Sequence, residues 1–200
     1  MPAFPDTKPE LRRRGLAHRD ALSPAARREK SLAIATHGAE ALSHGIGGLT
    51  VAGYHAIRSE ADVGFLLNLL EQAGAQLALP AVLDRETIVF RSHLPHVPLV
   101  AGGFGTMAPG EGAALVEPDV LLMPLSVFDE KGNRIGYGAG HYDRAIDRLQ
   151  AIGRRPVLIG VAFDLQEVPS VPAEPHDVPL DGIVTESGLR WFSEVPAPFA

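Results

Sequence analysis

The chain contains no cysteine. Disulfides, a thiolate nucleophile and cysteine-ligated zinc are therefore excluded, and the composition is compatible with a reducing compartment. No apolar run approaches the ~18 residues that a membrane helix requires. The first residues carry no apolar segment of the secretory kind, and the interleaved acids Glu10, Asp20 and Glu29 disfavour a transit peptide. Aromatic residues are scarce, at 6%, and the net charge is −6. Both deficits argue against nucleic acid as a partner. Repeats and low-complexity tracts are absent as well. The expectation is a cytoplasmic protein with no membrane, no nucleic acid and no obligate protein partner.

The residues present are those of an ordinary globular chain, 46% hydrophobic and 21% charged over 200 residues, enough for one domain of generous size. The charge is uneven. Residues 1–30 hold eight of the eighteen Lys and Arg against four acids. Such a segment is a solvated helix face, an arm for nucleic acid, or a clamp for phosphate.

Along the chain, residues 1–7 are Pro-rich and expected to be loose. Residues 8–44 read as a pair of N-terminal helices. The first, from Lys8 to about Leu22, carries Leu11, Gly15 or Leu16, and Arg19 at turn spacing. The second opens on Ser23-Pro24, an N-cap followed by a first-turn proline, with Leu32, Ala35, Ala39 and Leu42 as its apolar face. Leu49 to Tyr54 reads as a strand. His55 to Glu60 is a polar loop, and Ser59 to Asp62 resembles a capping box for a helix with Val63, Leu66, Leu67 and Leu70. Gln76 to Leu79 is a strand stopped by Pro80, and Thr87 to Phe90 is another. Five Gly and four Pro between Ser92 and Pro118 predict irregular structure. Later strands are Val120 to Met123, Pro156 to Phe163 and Gly182 to Thr185. Strands alternating with helices predict an α/β fold, a three-layer sandwich around a largely parallel sheet of Rossmann-like type. Ligands in such sheets collect beyond the carboxyl ends of the strands. Glu60, the glycine loop described next, and Asp177 all fall there.

The stretch from Asp119 to Arg144 is the most informative. After the apolar run and Pro124 come Asp129, Gly132 and Asn133, a turn signal, and then Gly136, Gly138 and Gly140 in alternation. A helix follows from His141 to Gln150, with Ala145, Ile146 and Leu149 on one face. Strand, glycine-rich loop and helix together present backbone N–H groups to a phosphate. The loop matches neither the dinucleotide nor the Walker pattern. What marks it as a site is the crowd of Arg134, His141, Tyr142, Asp143 and Arg144 around the glycines.

That stretch, DVLLMPLSVFDEKGNRIGYGAGHYDR, resembles the 5-formyltetrahydrofolate cyclo-ligase (methenyltetrahydrofolate synthetase) family, whose pattern is roughly D-L-x-L-x-P-G-x-x-F-D-x-x-G-x-R-L-G-x-G-x-G-Y-Y-D-R. Lys8-Pro-Glu-Leu-Arg12, Arg19, Leu22-Ser23 and Ser31 are similar to its N-terminal helix pair. Tyr54 with Glu60, Gly103-Phe104-Gly105 with Pro109, Ile159 to Phe163, Gln166, and His176-Asp177-Val178 with Asp181 continue the series to about Glu186. Three positions depart from the pattern: Ala108 replaces an acid, His141 a tyrosine, and Ala139 a glycine or lysine.

The resemblance implies one cyclo-ligase-like domain over 1–200, acting in one-carbon folate metabolism on 5-formyltetrahydrofolate with ATP as co-substrate and Mg²⁺ as cofactor. It implies nucleotide contacts at Lys8, Arg12, Arg134, Gly136, Gly138, Gly140, His141, Tyr142 and Asp143. Substrate contacts are implied at His55, Glu60, Tyr137, Gly138, Ala139 and Gly140, metal ligation at Asp143 and Asp177, and catalytic roles for Arg134 and Tyr142. A paralogue of the same fold, acting as another ATP-dependent enzyme or as a non-catalytic folate or nucleotide binder, is the alternative.

Overall fold

The computed structural model describes residues 6–174 and 177–200. In chain order its elements are α1 (Lys8–Asp20), α2 (Pro24–Leu42), β1 (Thr50–Ala52), α3 (Gly64–Gln72), β2 (Gln76–Val82), β3 (Ile88–Ser92), β4 (Val100–Ala101), β5 (Met107–Ala108), β6 (Val120–Pro124), β7 (Val127–Phe128), β8 (Arg134–Ile135), α4 (His141–Ala151), β9 (Val157–Val161), β10 (Gly182–Thr185) and β11 (Gly188–Trp191). A seven-stranded sheet runs β11-β10-β9-β6-β1-β2-β3. Its five inner strands are parallel, and the edge strands β3 and β11 are antiparallel to their neighbours. The expected three-layer α/β sandwich is what forms.

Alternation along the strands builds the layers. Val120 and Leu122 face α2 and α3, in a core with Ile34, Leu42, Leu66 and Leu70. Leu121 and Met123 face the opposite way, onto Ala145, Ile146 and Leu149 of α4. With both faces covered, β6 and β9 are continuous apolar runs rather than alternating ones. Each fully buried Leu or Ile contributes about 1.5–3 kcal/mol relative to exposure.

Several local expectations are corrected. Leu32 is 41% exposed, and the buried face of α2 is Ser31, Ile34, Ala35, Gly38 and Leu42. That set keeps a three-to-four residue spacing and leaves Leu32 about one quarter-turn off it. β2 continues through Pro80 to Val82. Ala78, two residues earlier, accepts from Gly53 on the β1 side, so the N–H that Pro80 lacks would point past the end of β1, where no ladder partner remains. Ser59 does not cap α3. Asp62 does, its carboxylate accepting from the Gly64 N–H at 2.9 Å. Order begins earlier than expected, since Asp6 pairs with Arg14 at 2.9 Å and the Glu10 carboxylate accepts from the Thr7 N–H at 2.9 Å. The remaining residues of that Pro-rich start, and His176, lie outside the described residues. Between Ser92 and Pro118 the two-residue strands β4 and β5, a short 3₁₀ turn and a single bridge from Leu115 to Arg91 interrupt irregular chain.

From β1 the chain passes through α3 to β2 and β3 on one side, then returns to place β6 on the other side of β1. The order therefore reverses between β1 and β6. The crevice beyond the carboxyl ends of these two strands is where an α/β sheet binds its ligands.

Candidate functional site

Arg19, 1% exposed, occupies that crevice. Its Nε donates to Ser59 Oγ at 3.0 Å in the loop after β1, and one terminal nitrogen to the Leu125 carbonyl at 3.1 Å, immediately after β6. The other donates to the Tyr137 hydroxyl at 2.6 Å, within the glycine loop. One guanidinium thus ties α1 to both strand exits and to the loop. Ser59 passes the connection back to α1 by donating to Asp20. Helix α1 comes this close because Gly15 has no side chain; a Cβ there would collide with the Ser126 carbonyl and a Val127 methyl. Leu11 anchors the same face against Val127, Ile135 and Val171.

The glycine loop follows the β7–β8 hairpin, whose turn is held by Asp129. That buried carboxylate accepts from the N–H groups of Lys131 and Asn133 at 3.0 Å and of Val171 at 2.9 Å. Arg12 lies against the loop and donates from Nε to the Gly136 carbonyl at 2.7 Å. Gly138 has φ +96°, and its Cα faces the Arg12 guanidinium so closely that an added Cβ would lie 3.1 Å from Cζ. Gly140, at φ +66°, caps the N-terminus of α4. Gly136 and Gly138 are thereby brought to Arg12, a few residues before the N-terminus of α4, and a helix N-terminus favours a phosphate.

Arg134, at the start of β8, joins the parts. It donates to Asp143 Oδ1 at 2.7 Å on α4 and to the Val178 carbonyl, one residue beyond Asp177. Lys8 bonds Asp177 at 2.6 Å and Glu174 at 3.2 Å. Burial lowers the Lys8 pKa, but the two carboxylates outweigh it and the net shift is upward, so the ammonium stays charged. A chain of contacts therefore joins Lys8, Asp177, Arg134 and Asp143, each acid already facing a cation. Among the described residues no group of three or more His, Cys, Asp or Glu forms a ready-made metal cage. An ion bound mainly through phosphate oxygens and water needs only one or two carboxylates, and the pair Asp143 and Asp177 fits that demand. His141 lies on the outer side of α4, its Nε2 2.9 Å from the Arg85 carbonyl in the β2–β3 turn.

On the α2–α3 side of the crevice is a cavity of about 370 Å³. Tyr54, His55 and Glu60 line it, with Leu67, Leu79 and Phe65 as apolar wall. Glu60 is buried and accepts from the Ile57 N–H at 2.9 Å. Burial raises its pKa, opposed by that hydrogen bond, by Arg19 and by Tyr137. Burial likewise raises the phenols of Tyr54 and Tyr137, and pushes Tyr142 far above its ordinary value, with Glu60 adding and Arg134 opposing. Tyr142 is then a hydrogen-bond donor rather than a base. Tyr137 is the meeting point. Two guanidiniums lie over its ring, Arg19 at 5.7 Å and Arg58 at 5.8 Å from the centroid.

The structure brings together on the loop side Lys8, Arg12, Arg134, Gly136, Gly138, Asp143 and Asp177, and on the cavity side His55 and Glu60, with Tyr137 between. Sequence reasoning missed Arg19 and Arg58 as site residues. Arg19 carried a signal, since it shares the helix face of Leu11 and Gly15. Ala108 is buried, and beside it Arg91 donates to the Pro109 carbonyl at 3.2 Å while its Nε lacks a hydrogen-bond partner.

The pattern describing the 5-formyltetrahydrofolate cyclo-ligase family matches residues 5–186. The 5-formyltetrahydrofolate cyclo-ligase of Escherichia coli (strain K12) is 34% identical over 149 residues, covering 71% of this chain and 81% of that protein. The solved structure of Aquifex aeolicus 5,10-methenyltetrahydrofolate synthetase superposes with a TM-score of 0.77 at 31% identity, covering 95% of each chain. That of the Mycoplasma pneumoniae 5,10-methenyltetrahydrofolate synthetase gives 0.72 at 26% identity, covering 90% of this chain and 98% of the other. No helix among the described residues is long and apolar enough to cross a membrane.

Proposed function

The chain belongs to the 5-formyltetrahydrofolate cyclo-ligase family of ligases, and from that premise we propose that it converts 5-formyltetrahydrofolate to 5,10-methenyltetrahydrofolate, consuming ATP with Mg²⁺ and releasing ADP and phosphate. The observation that carries the reading is Tyr137. It sits on the glycine loop whose Gly136 carbonyl holds Arg12, and its phenol lies beside Glu60 of the cavity. A phosphate opening and a buried acid for a polar ring thus share one residue.

The chemistry explains the division. A formamide carbonyl is a poor electrophile and its oxygen a poor leaving group. Transfer of the γ-phosphoryl to the formyl oxygen forms one O–P bond and breaks the bond to ADP. N10 then attacks the activated carbon, loses its proton, and phosphate departs with the formyl oxygen. Phosphoryl transfer depends chiefly on positioning and charge neutralisation. Lys8, Arg12, Arg134 and the first-turn N–H groups of α4 supply cations and donors for the phosphates. Asp143 and Asp177 would hold the magnesium ion, which when bound neutralises phosphate oxygens. Glu60 accepts hydrogen bonds from the N–H groups of the pterin. Tyr142, with its proton held firmly, donates toward the developing charge on the formyl oxygen.

The test is to mix the protein with 5-formyltetrahydrofolate, ATP and Mg²⁺ and follow the near-ultraviolet absorbance of the conjugated methenyl product. An ATP-dependent rise is expected. Folded protein with fresh substrate and no rise would refute the proposal.

A further inference from the structure

Two charged side chains of the cavity have no part in the chemistry above. Arg27 and Arg28, in the first turns of α2, both line it. Each is held by a neutral partner. Arg27 donates to the Leu22 carbonyl at 2.7 Å, and the Arg28 guanidinium lies over the Phe65 ring at 5.1 Å. Among the described residues no carboxylate pairs with either one. The helix gains nothing from them there, because cations near a helix N-terminus oppose the macrodipole, and the first turn of α2 contains no acid to offset them. Their charge and the positive end of a 19-residue helix add at the same place.

The cavity is polarised as a result. Glu60 and Asp62 are its acids. Glu60 is buried next to Tyr137, and Asp62 is engaged in capping α3. Arg58, exposed, also lines the cavity beside Glu60, set by its contact with the Tyr137 ring and by a backbone at φ +55°, a conformation that side chains bearing a Cβ seldom adopt. Phe65, Leu67 and Leu79 supply apolar lining. Arg27 and Arg28 make the remaining wall basic. His93 adds no charge near neutrality, since burial depresses its pKa against a smaller upward pull from Glu71.

We propose that Arg27 and Arg28 form a carboxylate clamp for the glutamate end of the folate substrate, making them specificity-determining residues of the cavity. This rests on the proposed function. A formylfolate has a hydrogen-bonding ring at one end, an aromatic amide in the middle and carboxylates at the other end. The cavity offers an acid, an apolar wall and two guanidiniums. A guanidinium presents a planar fork that matches a carboxylate. The phenyl face of Phe65 holds Arg28 flat without neutralising it.

The experiment compares 5-formyltetrahydrofolate with 5-formyltetrahydropteroate, which lacks the glutamate, in the wild type and in an R27Q/R28Q variant. Binding is measured by calorimetry without ATP, and kcat/KM with ATP and Mg²⁺, at low and raised salt. The wild type is expected to prefer the glutamylated compound. The variant is expected to lose about tenfold of that preference at low ionic strength, and raised salt to shrink the wild-type preference. The KM for ATP is expected to stay unchanged. A single R28Q variant, which keeps the Arg27–Leu22 link between α1 and α2, is expected to show part of the loss if the double variant unfolds. Equal preference in wild type and variants, or a rise in the KM for ATP in place of the folate effect, would overturn the clamp while leaving the ring-closing activity intact. A wild type that binds neither compound would overturn the functional reading itself.

Discussion

The two halves of the site handle charge in opposite ways. On the glycine-loop side each acid faces a cation, Asp177 with Lys8 from the far end of the chain and Asp143 with Arg134 nine residues before it, while Arg12 is set by the Gly136 carbonyl. On the cavity side the guanidiniums are set by carbonyls, a hydroxyl or aromatic faces, and the acid Glu60 is buried. A side built of ion pairs suits a ligand that arrives with both signs of charge, such as a nucleotide with its metal, because each pair exchanges partners on binding. A side built on neutral supports keeps its charges uncompensated and suits a ligand that brings a single sign to each position.

The loop side should be the more sensitive to loss of a carboxylate. Asp143→Asn or Asp177→Asn is expected to lower kcat about 100-fold and raise the Mg²⁺ concentration needed. The double variant is expected to be hardly worse than either single one, since groups that act as a unit are not additive. Additive losses measured by steady-state kinetics would separate the two carboxylates.

Arg19 joins the halves, and its removal should damage both. Arg19→Met takes the Arg19 donor from the buried Ser59 hydroxyl and from the Tyr137 hydroxyl, while Gln166 still donates to the Leu125 carbonyl at 2.7 Å, and is expected to cost about 3 kcal/mol in urea unfolding. Arg58→Gln, at the exposed side of the same ring, is expected to cost less than about 1 kcal/mol. Equal costs would mean that burial of Arg19 is not what connects the strand exits.

Much of this architecture was legible beforehand. The glycine alternation and Glu60 beyond the first strand pointed to the crevice, and the family resemblance pointed to Lys8 and Arg12. Arg19 was placed on the inner face of its helix by its spacing from Leu11 and Gly15, but its part in the site did not show, because a basic residue on a basic helix reads as solvated until the helix is known to lie across a strand exit. Ser59 was misread for a related reason. Its local spacing imitates a cap, and only the approach of Arg19 and Asp20 from outside redirects its hydroxyl. Leu32 misled by its size, whereas Gly38 and Ser31, small enough for close packing, hold the buried positions.

A smaller effect would sharpen the cavity side. Burial raises the Glu60 pKa above its unfolded value of about 4.3. A raised pKa stabilises the fold at low pH, and that contribution is lost as pH rises through the folded value. Glu60→Gln carries no such titration. Its Tm relative to wild type is therefore expected to increase as pH rises from about 4 toward neutrality. A gap that stays constant over this range would mean that Glu60 is not held in a desolvated state.

The central claim is that nucleotide and folate occupy different halves that meet at Tyr137, and crossed affinities test it most directly. Lys8→Met and Glu60→Gln are each titrated with ATP–Mg²⁺ and with 5-formyltetrahydrofolate. Lys8 is substituted rather than deleted with its segment, because Leu11 three residues on is buried and its loss would cost packing. The account predicts about tenfold weaker ATP binding with folate binding kept for Lys8→Met, and the reverse for Glu60→Gln. Equal losses of both ligands in both variants would contradict it.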